Sequence, residues 1–266
     1  MFCLSEVKLT KLCILPGHYN KGKVVWFKES GVCSVIVPVF VFGCPGSGKS
    51  TAARCIEMIV RDKSEEWSTF RINDYKILDG WFHADVEHTK FRPREYGGFD
   101  ILFPELYDEA LQILKHQVQE YEPSKENEFI IIEFARCDYQ SALEQFGKDF
   151  IQDAYFLFLE ADIETCVQRI FKRVHKPIKT LDDHFTSEFV FECYRQRHKD
   201  FIAHNTSVLK TKYSVDEQNI RIVNNAARSF QDFHYEINDF VDYMMSKQLA
   251  EKDTCPLILA TEYALI

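Results

Sequence analysis

Apolar residues follow two rhythms along the chain. Val35 to Phe42 is an unbroken apolar run of mostly β-branched and aromatic residues, which predicts a parallel strand buried on both faces. Pro38 lies inside it, and a residue without a ladder donor belongs at a strand's first position, so the paired part is expected to be short, Val39 to Phe42. Ala52, Ile56, Ile59 and Val60 then recur at helical spacing and predict a helix from Lys49 to about Asp62. Trp67 to Ile72 reads as a second strand. Pro104 suits the first turn of a helix with Leu106, Ala110, Ile113, Leu114 and Val118 on one apolar face, and that helix precedes a third strand, Phe129 to Ile132.

Ala154 to Leu159 is a fourth strand. Ile163, Cys166, Val167, Ile170, Phe171 and Val174 mark an amphipathic helix capped by Asp162, with Arg169 and Arg173 on its other face. A helix from about Ser187 to His204, a strand from about Asn219 to Val223 and a helix from about Ser229 to Ser246 complete the series. Five strands alternating with helices imply one parallel sheet in a three-layer α/β/α domain. At 266 residues the chain suits one large core. The expected layout is a domain over 34–247, a peripheral N-terminal extension over 1–33 and a C-terminal tail over 248–266.

Composition narrows the setting. A hydrophobic fraction of 46% supports a packed globule, and no run of 18 apolar residues is available to span a bilayer, so a soluble protein without a membrane partner is expected. The nine cysteines are irregularly spaced, with no CxxC pair and no secretory signal, which fits reduced thiols in a cytoplasmic protein and gives no clustered ligands for structural zinc. A formal net charge of −9 disfavours nucleic acid as a partner, apart from a locally basic groove. Oligomeric state is not legible.

The chemistry is concentrated in one segment. Gly43-Cys44-Pro45-Gly46-Ser47-Gly48-Lys49-Ser50 fits GxxxxGK[ST] between a predicted strand and a predicted helix, the context of a phosphate-binding loop. Its glycines let successive backbone N–H groups face a β-phosphate, and the helix start adds its positive dipole end. Lys49 would bridge the β- and γ-phosphates of ATP, Ser50 would hold Mg²⁺, and Thr51 supplies a second hydroxyl. The base-reading NKxD of GTPases is missing.

Glu133, in Ile130-Ile131-Ile132-Glu133, ends the third strand at the edge where open α/β sheets build ligand sites, and it is a candidate to orient Mg²⁺ and its water or to hold an acceptor. Asp74, in Arg71-Ile72-Asn73-Asp74-Tyr75, ends the second strand at the same edge. Its competing role is a turn or helix cap.

The layout over about residues 35–245 resembles the nucleoside- and nucleotide-phosphate kinases, the adenylate-kinase-like group of phosphate-loop proteins. The resemblance rests on the loop, on Leu159-Glu160-Ala161-Asp162 followed by Gln168-Arg169-Ile170-Phe171-Lys172-Arg173, and on Asp182-Asp183 ahead of Tyr194-Arg195-Gln196-Arg197. It implies a strand order of 2-3-1-4-5, a lid over 174–186, and an acceptor-binding insertion over the irregular stretch 79–102, which holds Trp81, His83, Arg92, Arg94 and Gly97-Gly98. It further implies ATP contact for Arg169, charge stabilisation by Arg173 and Arg197 during transfer, and an acceptor role for Asp74. The activity implied is ATP- and Mg²⁺-dependent phosphoryl transfer to a small acceptor such as a nucleotide, nucleoside or metabolite. The rivals are a polynucleotide kinase and an ATP-sensing regulatory module with slow hydrolysis.

Overall fold

The computed structural model describes residues 9–10, 24–28, 33–95, 97–136, 138–176, 188–197, 200–226 and 229–253. Strands β1 (Leu9–Thr10) and β2 (Val24–Lys28) pair antiparallel, and β2 lies against the start of the long central strand β3 (Cys33–Gly43). Then come α1 (Lys49–Lys63), β4 (Trp67–Asn73), α2 (Tyr75–Ala84), the two short strands β5 (Phe91–Pro93) and β6 (Phe99–Ile101), α3 (Glu105–Glu120) and β7 (Asn127–Glu133). Two short helices, α4 (Tyr139–Glu144) and α5 (Lys148–Ile151), lead to β8 (Tyr155–Glu160) and α6 (Ile163–Val174). The chain continues through α7 (Glu188–Arg197), α8 (Phe201–Lys212), a 3₁₀ turn at Glu217–Asn219, β9 (Ile220–Asn224) and α9 (Phe230–Asp253).

The five parallel strands lie in the order β4-β7-β3-β8-β9, which is 2-3-1-4-5 when they are counted along the chain. Helices cover both faces, so the architecture is the three-layer α/β/α fold of phosphate-loop proteins. Alternation along β3 divides the core. Ile36, Phe40 and Phe42 point to one face, where they meet Leu111, Leu114 and Val118 of α3 and Leu209 of α8. Val37, Val39 and Val41 point to the other, against Ile56 and Val60 of α1 and Ile237, Phe240 and Val241 of α9. Burial of both faces explains why β3 reads as a continuous apolar run.

The pairing of β3 corrects the expectation for Pro38, which lies in mid-strand and in register with Ile130 of β7. On the other side of β3, β2 pairs up to Ile36 and β8 begins at Val39. Pro38 occupies the gap between these two partners, where a missing N–H interrupts no ladder. The helix expected over Ser187 to His204 is two helices. The Asp200 carbonyl accepts from His204 N–H at 2.7 Å and opens α8, which runs to Lys212. Helix α9 continues past Ser246, where buried Gln248 donates to the Tyr155 hydroxyl at 2.9 Å. Ile113 and Phe171, assigned to apolar helix faces, are 39% and 45% exposed. Asp162 caps α6 as expected, accepting from Thr165 N–H at 2.7 Å. Among the described residues no helix is long and apolar enough to cross a membrane.

Phe40 is fully buried, with its ring against those of Phe42, Phe134, Phe146, Phe150 and Phe156. Phe40→Ala removes the centre of this cluster from a sheet that cannot collapse around the void. The expected loss is about 3–5 kcal/mol in urea denaturation. A loss below about 1 kcal/mol would show that the ring cluster does not carry this face of the core.

Candidate active site

Strand β3 ends at Gly43, and the chain must reverse before α1 begins at Lys49. Glycines make that possible, beginning with Gly43 itself, where a Cβ would lie 2.7 Å from the Leu159 carbonyl oxygen. Gly46 has φ 86°, and a Cβ there would lie 2.4 Å from the Cys166 carbonyl oxygen of α6. Gly48 has φ 108°, and its Cβ would lie 2.5 Å from Asn225 Nδ2, just past β9. Both positions demand a left-handed backbone and no side chain. Asn225 Nδ2 also donates to the Ser47 carbonyl at 2.7 Å, which ties the loop to the end of the fifth parallel strand. Helix α1 has no side-chain cap at Gly48, so its first N–H groups open on the site as an anion seat. The Tyr139 hydroxyl, buried below the loop, accepts from Gly43 N–H at 3.3 Å and donates to the Phe134 carbonyl at 3.1 Å. Burial pushes that phenol up to about 12, so it stays protonated.

Lys49 folds back on the loop and donates to the carbonyls of Gly43 at 2.8 Å and Cys44 at 3.1 Å. Desolvation lowers its pKa, opposed by the nearby Cys44 thiol and the Glu133 carboxylate. Ser50 Oγ donates to Glu133 Oε2 at 3.4 Å, and Glu133, only 4% exposed, forms a close ion pair with Arg71. A hydroxyl and a carboxylate are hard oxygen donors of the kind Mg²⁺ takes beside phosphate oxygens and water, so this pair fits the ion. Among the described residues no group of three or more His, Cys, Asp and Glu side chains forms a metal cage.

Arg169 and Arg173, one turn apart on α6, both line the cleft above the loop, and Thr51 lines it from α1. Arg169 Nη2 donates to the Asn225 carbonyl at 2.6 Å, while its buried Nη1 has no hydrogen-bond partner among the described residues. The positive charge of Arg173 is near enough to lower the pKa of Lys49. Arg197 is the last residue of α7, and its side chain lies outside the described residues. So do residues 177–187, which hold most of the expected lid together with Asp182 and Asp183.

The insertion expected to be irregular is structured, as α2 followed by the β5-β6 hairpin. Phe99 stacks on Tyr75 and on Phe82, with centroids 5.5 and 4.8 Å apart, and fixes the hairpin to α2. Of the side chains singled out in the sequence, Arg92 and Arg94 line the cleft, whereas Trp81 and His83 do not. Asp100 of β6 lies between the two arginines, 2.9 Å from Arg92 Nη2 and 2.5 Å from Arg94 Nη2. Asp74 is buried at the same end, and its Oδ2 is 2.6 Å from Arg136 Nη1. Capping of α2 falls to Asn73, whose Oδ1 accepts from Lys76 N–H at 3.1 Å. Arg136 is held by the Tyr107 carbonyl at 2.9 Å, with its guanidinium 4.4 Å from the Tyr107 ring centroid.

One cleft of about 1060 Å³ runs from the loop to Asp100 and contains Lys49, Ser50, Asp74, Glu133, Arg169 and Arg173. Nine Lys and Arg side chains line it, against the three carboxylates Asp74, Asp100 and Glu133. In a chain of net charge −9 this is a focused positive field. Sequence reasoning did not identify Tyr139, Arg136, Asp100 or Asn225. Asn225 and Arg136 each follow the C-terminal end of a parallel strand, where ligand sites assemble, and that position was the available signal. Tyr139 and Asp100 had none.

No protein-family model matches the chain, and no curated protein matches it. Among solved structures it is similar to a gluconokinase from Sinorhizobium meliloti 1021, at 11% identity, covering 81% of this chain and 97% of that one with a TM-score of 0.49. It is also similar to Chaetomium thermophilum Kti12 in complex with ADP-AlF3, at 12% identity over 79% and 97% of the two chains with a TM-score of 0.49. A third is shikimate kinase from Acinetobacter baumannii in complex with shikimate, at 11% identity over 83% and 96% with a TM-score of 0.39. Likeness of this degree carries no argument about chemistry, and the fold rests on the strand order and loop described above.

The hairpin is anchored by Asp85, at the end of α2. Its Oδ2 accepts from the N–H groups of Lys90 at 2.7 Å and Phe91 at 3.0 Å, and its Oδ1 from Thr89 N–H at 3.1 Å. Partial desolvation raises the Asp85 pKa, but these bonds outweigh it and hold the carboxyl at about 2. A folded pKa below the unfolded value of about 3.9 gives stability that is complete above that value and lost as pH falls toward 2. Hydrogen-exchange protection factors at residues 89–91 are therefore expected to be constant from neutral pH to about 4.5 and to fall below it. Asp85→Ala should remove them at neutral pH, and full protection in that variant would show that the carboxylate does not anchor the hairpin.

Proposed function

We propose that this protein transfers the γ-phosphoryl group of Mg·ATP to a small, negatively charged acceptor. The observation that carries the reading is the second compartment of the cleft, beyond the phosphate loop. There Arg94 Nε, Arg136 Nε and Asp100 Oδ1 are buried without hydrogen-bond partners among the described residues. Buried polar atoms left unpaired are costly, and a ligand that pairs them recovers that cost. Two guanidinium groups and one carboxylate oxygen match an acceptor with an anionic group and a nearby hydroxyl. ATP binding alone has no use for such a compartment.

The residues divide the work by position. Lys49 exchanges the Gly43 and Cys44 carbonyls for the β- and γ-phosphates, and the loop amides hold the same oxygens. Ser50 and Glu133 would hold Mg²⁺, which would supply positive charge to offset that of the phosphates. Arg173 faces the loop from α6 and stabilises charge that grows on the transferring group, while Arg169 holds the nucleotide beside Asn225. Asp74, kept in place by Arg136, directs the acceptor hydroxyl toward the γ-phosphate. The polar layer between Lys49 and Asp100 thus handles both substrates in one cleft.

Incubation with γ-labelled ATP and Mg²⁺, against phosphorylated, carboxylated and neutral small molecules, an oligonucleotide 5′ end and water, tests the reading. Label is expected in an anionic small molecule. Asp74→Asn should cut that transfer by roughly tenfold or more while leaving ATP affinity unchanged. Label passing only to water would identify an ATP-hydrolysing regulatory module, and label on the oligonucleotide a polynucleotide kinase. Either result would overturn the proposal.

A further inference from the structure

We propose that Cys44 and Cys166 are a modification site, a dithiol that hydrogen peroxide converts to a disulfide, closing the phosphate loop to nucleotide. Cys44 is the second residue of the loop, and Cys166 lies on the facing helix α6. Their side chains are hydrogen-bonded to each other and share one apolar cluster with Ala161, Ile163 and Ile170. The loop presses on the same turn of α6, since a Cβ on Gly46, two residues after Cys44, would lie 2.4 Å from the Cys166 carbonyl oxygen. Nothing in the transfer reaction described above uses either sulfur. The inference concerns the loop itself and is independent of the acceptor.

Electrostatics favour the reactive form. The hydrogen bond from Cys44 lowers the pKa of Cys166, and the positive charges of Lys49 and Arg169 lower it further, against desolvation and the Asp162 carboxylate. Cys55, on α1, is pushed up by burial and serves as an internal contrast. Cys44 is 6% exposed and Cys166 fully buried, so Cys44 is the sulfur a molecule as small as hydrogen peroxide can reach, through an opening too small for glutathione disulfide.

The step balances. The Cys44 sulfur, the one of the pair with surface open to solvent, attacks one peroxide oxygen, breaking the O–O bond and giving its proton to the hydroxide released, which leaves as water. The resulting sulfenic acid on Cys44 is attacked by the Cys166 sulfur, which loses its proton as the S–O bond breaks and a second water leaves. Two thiols are oxidised by two electrons and one hydrogen peroxide is reduced to two waters.

Forming the bond draws the sulfurs from hydrogen-bond separation to about 2.05 Å. Cys44 belongs to the loop, so the bond draws loop backbone toward α6. That movement displaces the Gly43 and Cys44 carbonyls that position Lys49, and with them the loop amides.

The test uses the full chain, treated with hydrogen peroxide or with glutathione disulfide, then alkylated, digested and mapped by mass spectrometry. Hydrogen peroxide is expected to give a Cys44 peptide linked to a Cys166 peptide with the loss of two hydrogens, and glutathione disulfide is expected to give none. Mg·ATP affinity should fall at least tenfold on oxidation and return with dithiothreitol. Cys166→Ser, or Cys166→Ala if the serine variant folds poorly, should bind Mg·ATP like the reduced wild type and keep that affinity after peroxide, since no linkage can form. The proposal is overturned if the linked peptide does not form in the native protein, if it forms without weakening ATP binding, or if the Cys166 variants lose binding on oxidation as the wild type does.

Discussion

Eight residues, Gly43 to Ser50, must reverse the chain while pressed against α6 on one side and Asn225 on the other. The backbone fits only because Gly43, Gly46 and Gly48 carry no side chain, and the fit leaves the start of α1 uncapped and open. Everything else at the site is placed with respect to that turn. The Tyr139 hydroxyl fixes the strand end below it, Asn225 fixes its far side, and β7 brings Glu133 to Ser50. Strand order matters here because β7 and β8 flank β3 and deliver their C-terminal ends to the same edge. The anion seat is thus a consequence of sheet topology and three missing Cβ atoms.

Electrostatics then decide what the cleft attracts. The chain as a whole is acidic, yet the cleft is lined by three times as many cationic side chains as carboxylates. Arg71, Arg92, Arg94 and Arg136 are each held by a carboxylate, Glu133, Asp100 or Asp74, so the fold keeps these guanidinium groups in place before any ligand arrives. Such preorganisation lowers the cost of binding an anion, since the charged groups do not have to be collected at the moment of encounter.

The loop and the sheet were legible because both are local patterns. A GxxxxGK[ST] segment between an apolar run and a helical period is hard to mistake, and the order 2-3-1-4-5 followed from the resemblance that the loop, the α6 arginines and the later arginine helix supported. Pro38 was misplaced because its tolerance depends on where two other strands stop and start, which no window around residue 38 contains. The insertion read as irregular because α2 is short and β5 and β6 have three residues each, too few to show a period. Tyr139, Asp100 and Arg136 act through partners 96, 8 and 62 positions away in sequence, Gly43, Arg92 and Asp74, and distances of that kind leave no trace in spacing. Asp74 was seen as a carboxylate at a strand end, but that its charge is met by Arg136 became visible only in the folded site.

The central claim is that Lys49 stands on loop carbonyls that it leaves for phosphate. Titration calorimetry of Mg·ATP into the wild type and into Lys49→Ala tests it most directly, with circular dichroism to confirm that both are folded. Loss of one charge-assisted contact to phosphate predicts an affinity weaker by roughly tenfold to a hundredfold in the variant. Equal affinity for Mg·ATP in the two proteins would contradict the account.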